Sequence, residues 1–147
     1  MVLLVLATAC AGIFFGAAIY INLVEHPARM SCGQELAMRE FGPSYARASI
    51  MQAALAIVGC VIGLIAAWSR RDLMTAIAAA LLGLVVPFTL IVIFPTNKQL
   101  LAPNLDPRSV TTGALLARWN RLHAVRSALS GAAFALFLYR LVSAGAV

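Results

Sequence analysis

From Val2 to Val24 the chain carries no charged side chain. A helix rises about 1.5 Å per residue, so this run reaches about 34 Å, enough to cross the hydrocarbon of a bilayer. It reads as a span and not as a signal peptide, because it lacks a positively charged start and is too long. Three further apolar runs follow, near 44–68, 73–94 and 109–142. Lipid offers no partner to backbone polar groups, so each is expected to be helical. Only 11% of residues are charged and 63% are hydrophobic. Soluble domains have about a quarter and about half. Too few charged groups remain to cover such a chain with a water-facing surface. That excludes an ordinary soluble enzyme, a disordered chain and a fibrous repeat. The expectation is one all-α domain over residues 1–147, an integral membrane up-down four-helix bundle with a long fourth helix.

Local signals mark the boundaries. Gly42-Pro43 is expected to break the chain before the second span, and Trp68 with Arg70-Arg71 to end it at headgroup level. Asp72 sits where a helix N-terminus favours negative charge. Pro87 predicts a kink in the third span, and Pro95 its end. Ser109 is a candidate cap for the fourth. Tyr139 and Arg140 read as an interfacial anchor. The polar, proline-marked stretches 25–43 and 95–108 form two long connections at one membrane end. Within the first, Gln34 to Phe41 predicts a short surface helix. Gly12/Gly16 and Gly59/Gly63 are small-xxx-small pairs that allow close helix contact, within the chain or in a homo-oligomer.

Eleven Lys and Arg oppose five Asp and Glu, a net +6. The basic residues stand near span ends, where anionic lipid headgroups attract them. No basic run with interleaved aromatics exists, so nucleic acid is not an expected partner. Arg29, Arg39, Arg47, Lys98, Arg108, Arg118, Arg121 and Arg126 fall on the long-connection side, against Arg70, Arg71 and Arg140 on the other. That bias orients the long connections toward the cytoplasm of a cell (inner) membrane. Cys10, Cys32 and Cys60 form no CxxC pair and read as filler.

Polar residues at the edges of apolar spans are the informative ones. Asn22, Glu25 and His26 share one helix face near the end of the first span. Trp119, His123 and Arg126 share one face at the start of the fourth. Asn97 and Lys98 close the third at that end, and Tyr45 and Gln52 open the second there. Arg126 lies a turn deeper than His123 and needs either a partner, for which Glu25 is a candidate, or a ligand. His26 and His123 could share a metal, completed by Glu25 or water, or flank a haem. Two histidines are too few for a closed zinc site.

At these residues the chain resembles a known family. Asn22-Leu-Val-Glu25-His26-Pro27, Tyr45-Ala-Arg-Ala-Ser-Ile-Met-Gln52, Phe94-Pro-Thr-Asn97-Lys98 and Trp119-Asn-Arg-Leu-His123-Ala-Val-Arg126 resemble, in order, the small membrane family that includes the anthrone oxygenases. Trp-x3-His-x2-Arg is the most specific of these motifs. The resemblance implies four spans and, for some members, oxygenation of polycyclic anthrones to anthraquinones. That chemistry needs a base (His123 or His26), an oxyanion stabiliser (Arg126 or Lys98), an orienting amide (Asn22 or Asn97) and an aromatic wall such as Trp119. It requires no cofactor. Two other functions fit the same residues: a non-catalytic module binding a quinone, haem, metal or lipid, and a purely structural bundle.

Overall fold

The structure, a computed structural model, describes residues 1–145. Among them, four helices are long and apolar enough to cross a membrane. They are α1 (Val2–Ser31), α2 (Gln34–Arg70), α3 (Leu73–Leu100) and α4 (Val110–Gly145). Each packs on its sequence neighbours, and α4 closes the ring against α1. This is the expected all-α four-helix bundle.

The polar stretches 25–43 and 95–108 do lie together at one end, but they are far more helical than expected. Gly42-Pro43 does not break the chain; Pro43 lies inside α2, whose first turns are the predicted surface helix. The irregular connections shrink to Cys32-Gly33, Arg71-Asp72 and residues 101–109. Proline ends neither α1 nor α3, because a wider turn accommodates it. The ring of a helical proline clashes with the carbonyl four residues back. Ahead of Pro27 the helix opens into a π turn over Ile21–Glu25, where the His26 N–H donates to Ile21 O. Ahead of Pro95 the same device recurs over Thr89–Ile93, with the Phe94 N–H donating to Thr89 O.

Both ends are tied by polar contacts. At the polar end, the Gln34 amide donates to Pro107 O (2.7 Å) and Ser109 O (2.8 Å), and Arg108 pairs with Glu35 (2.8 Å). Ser109 caps α4 by accepting from the Thr112 N–H at 3.2 Å. At the far end, Asp72 caps α3 through the Met74 N–H (3.1 Å) and accepts from Thr75 (2.7 Å) and Arg140 (2.6 Å). Burial opposes the Asp72 charge, but the Thr75 and Arg140 bonds outweigh it and hold the carboxyl below its ordinary range. Arg140 is thus tied across the bundle as well as standing at the interface.

Two apolar clusters form the core. Leu4, Phe14, Leu82 and Phe137 centre the one at the far end, and Phe41, Ile93, Leu116 and Trp119 the one at the polar end. The glycine pair in α2 faces the first cluster. A Cβ on Gly59 would lie 2.8 Å from Cys10 Cβ, and one on Gly63 would lie 2.9 Å from Ala79 Cβ. Their missing side chains let α1 and α3 approach α2. Gly12 likewise faces Phe134, while Gly16 is open.

Candidate functional site

A cavity of about 150 Å³ separates the two clusters. Its walls are mainly apolar, with Phe14 and Val85 on the far side and Ile21, Phe41, Ile93 and Trp119 on the near side. Polar groups enter from every helix: Arg29 from α1, Tyr45 and Gln52 from α2, Asn97 from α3, His123 and Arg126 from α4.

His123 is held by its neighbours. Its Nδ1 lies 2.8 Å from Asn22 Oδ1, which also accepts from the Ser127 hydroxyl at 2.6 Å. The Asn22 amide nitrogen donates to Asn120 O (3.1 Å) and Asn120 Oδ1 (2.8 Å). A backbone carbonyl can only accept, so it fixes which end of the Asn22 carboxamide faces it. The oxygen must then face His123, and Nδ1 must carry the hydrogen. Nε2 therefore keeps its lone pair. Asn22 does not line the cavity; it acts through His123.

Arg126 is buried, and its guanidinium lies 5.0 Å from the centre of the Phe14 ring. Its Nε and one terminal nitrogen have no hydrogen-bond partner among the described residues. Glu25, the expected partner, is engaged elsewhere: it pairs with Arg29 and accepts from Ser44 Oγ at 2.9 Å. Arg29 also pairs with Glu40 at 2.8 Å. The Gln52 amide nitrogen and both polar atoms of the Asn97 carboxamide are likewise buried and unpartnered among the described residues. Buried polar groups are almost always satisfied, so three such side chains around one cavity leave hydrogen-bonding capacity facing it.

The remaining expected residues divide. Tyr45 lines the cavity, stacked on Phe41 at 5.9 Å. Trp119 stacks on His123 at 4.8 Å between ring centres. His26 lies 5.6 Å from the Trp119 ring and is not among the cavity walls. Lys98 is exposed, with its ammonium over the Phe94 ring, and also lies off the cavity. The trio Asn22, Glu25 and His26 therefore does not converge on one point. The π turn between the first and last of them redirects their side chains to His123, Arg29 and Trp119 in turn. No three His, Cys, Asp or Glu side chains gather as a metal-binding group among the described residues. Arg29, Ser127 and Asn120 were missed in the sequence. The Glu25/Arg29 spacing of four is a usable signal of a shared helix face, hidden when residues 25–43 are read as a connection.

Fold and site together define a polytopic helical membrane protein with an apolar cavity carrying polar groups near one end. Residues 41–136 match the anthrone oxygenase family. The chain belongs to that family. The match includes Tyr45, Gln52, Asn97 and the Trp119–His123–Arg126 run, and leaves out Asn22 and His26. No curated protein and no solved structure matches the chain.

Proposed function

We propose that the protein oxygenates a lipophilic polycyclic phenol of the anthrone type in this cavity, with His123 as base and Arg126 as oxyanion stabiliser. One observation carries the reading. An imidazole with a fixed tautomer and a guanidinium with no carboxylate stand on the walls of one apolar cavity. A neutral imidazole whose Nε2 keeps its lone pair can accept a proton from a bound ligand. Unpaired buried N–H groups suit a charge that develops during reaction.

An anthrone holds an acidic methylene between two aromatic rings. Nε2 of His123 takes one of its protons, and the electron pair spreads to the ring oxygen, which faces Arg126. The carbanion carbon then bonds to dioxygen, which accepts the electrons. Return of the proton gives a hydroperoxide. Breaking its O–O bond, with loss of the second methylene hydrogen as part of water, leaves a ketone. One anthrone and one dioxygen give one anthraquinone and one water. Dioxygen is the oxidant, and the substrate carbanion itself reduces it. Gln52 and Asn97 offer hydrogen bonds to further oxygens on the rings, and Trp119 offers an aromatic edge.

The test is dioxygen uptake by purified protein with anthrone. His123→Gln is expected to lose at least about 10²-fold in rate, the usual contribution of a positioned base. Undiminished turnover would remove His123 from the role. Anthraquinone binding without any dioxygen uptake by the natural protein would favour a non-catalytic quinone-binding module instead.

A further inference from the structure

The cavity is not enclosed on all sides. Two of its wall residues, Ala53 on α2 and Leu90 on α3, are exposed on the lipid-facing surface, Leu90 by 61%. They flank a gap between the two helices. Over Leu73–Phe88, α3 runs close against α2, with Gly59 beside Leu82 and Gly63 beside Ala79. Continuing that antiparallel register brings Ala53 level with Thr89. Beyond Phe88 the close approach to α2 is lost, and the later part of α3 leans on α4. The cause lies in the chain. Pro87 removes a helical hydrogen bond, and the π turn Thr89–Ile93 follows at once. The two helices therefore part where the cavity lies.

The polar end is closed by comparison. Arg29 stands there among the walls, tied to Glu25 and Glu40, with Ser44 on the same Glu25 oxygen. A neutral ring system crossing that network would have to break the ion pairs of the buried Arg29, whereas the gap is flanked by Ala53 and Leu90.

We infer that the cavity loads sideways from the bilayer through the slot between α2 and α3, and that its ligand is a flat, uncharged, membrane-dissolved ring system. The volume supports this. About 150 Å³ is the size of a hole that holds one benzene ring. A fused three-ring ligand is larger than that, so part of it extends from the cavity into the slot. Ala53 and Leu90 thereby set how wide and how long a ligand is admitted. The inference builds on the cavity of the proposed function but not on its chemistry.

The test uses bromobenzene, which has no oxygen for His123 or Arg126 to act on. It quenches tryptophan and partitions into lipid. Trp68→Phe protein in phosphatidylcholine vesicles leaves Trp119, on the cavity wall, as the one tryptophan. Stopped-flow mixing with bromobenzene-loaded vesicles reads its access. Ala53→Phe with Leu90→Phe is expected to slow quenching at least tenfold, and Leu90→Ala to speed it. Ile57→Phe, one turn away on the exposed face, is expected to leave the rate unchanged. Unaltered quenching in the blocked double variant, no quenching in any protein, or equal access by aqueous iodide would each overturn the inference. Loss of dioxygen uptake alone would count against the chemistry and leave the route standing.

Discussion

Asn22 does not line the cavity, yet replacing it with an apolar residue is expected to slow the chemistry strongly. Its carboxamide uses all four of its hydrogen-bonding capacities: two accepted bonds from His123 and Ser127, and two donated to Asn120. Leucine at this position fills similar space and offers nothing polar. Ser127 has a second acceptor in His123 O at 3.2 Å, and Asn120 is half-buried. The main loss therefore falls on the His123 Nδ1–H. A buried donor without a partner costs about 1–3 kcal/mol. The ring can avoid that cost by moving its proton to Nε2, and it then presents the wrong nitrogen to a substrate. Asn22→Leu is thus expected to cost only about 1–2 kcal/mol of stability but about 10²–10³ in turnover. Asn22→Asp separates tautomer from fold. Its oxygen still accepts from Nδ1, so the tautomer stays, while its second oxygen meets the Asn120 carbonyl and stability falls. The chain has two histidines, so ring-nitrogen shifts of ¹⁵N-histidine-labelled protein can be assigned with a His26→Gln variant. The natural protein and Asn22→Asp should show His123 protonated at Nδ1, and Asn22→Leu at Nε2. An Nε2-protonated ring in the natural protein, or full turnover in Asn22→Leu, would refute the reasoning.

Arg126→Met removes a buried cation that no carboxylate offsets, so thermal stability in detergent should hold or rise while turnover on anthrone falls about 10²-fold or more. A large loss of stability would mean the guanidinium is structural. Gly63→Val should cost at least about 1–3 kcal/mol through overpacking against Ala79 and Phe137, with the oligomeric state by light scattering unchanged; dispersal of an oligomer without destabilisation would place that face outside the bundle. Asp72→Ala should cost about 1 kcal/mol by loss of the cap. Because the Asp72 carboxyl titrates lower in the fold than in the unfolded chain, where its ordinary value is 3.8, its stabilisation is complete above that value and disappears as the pH falls below it. Unfolding temperatures of the two proteins should therefore converge on acidification, and a constant gap would exclude the Asp72 charge as the source.

Spans, class and the polar end were all legible from one-dimensional facts. A charge-free run long enough for a bilayer has one stable backbone solution, the helix. Helical periodicity then places His123 and Arg126 on one face whatever surrounds them. Asp72 and Ser109 announce helix starts by local chemistry that needs no partner. Proline misled, because it forbids one hydrogen bond and not a helix. Whether the chain breaks at Pro27, Pro43 and Pro95 or continues is settled by neighbouring helices that hold its ends. The fate of each polar side chain was equally invisible. Glu25 could have met Arg126, but a π turn and the packing of α2 gave it to Arg29 and Ser44. Asn22 and His123 stand far apart in the chain, and only the closure of α4 against α1 sets them at 2.8 Å. Composition and periodicity are properties of single segments and fix what each must be. Partnership and cavity shape belong to pairs of segments, and they exist only once the helices are packed.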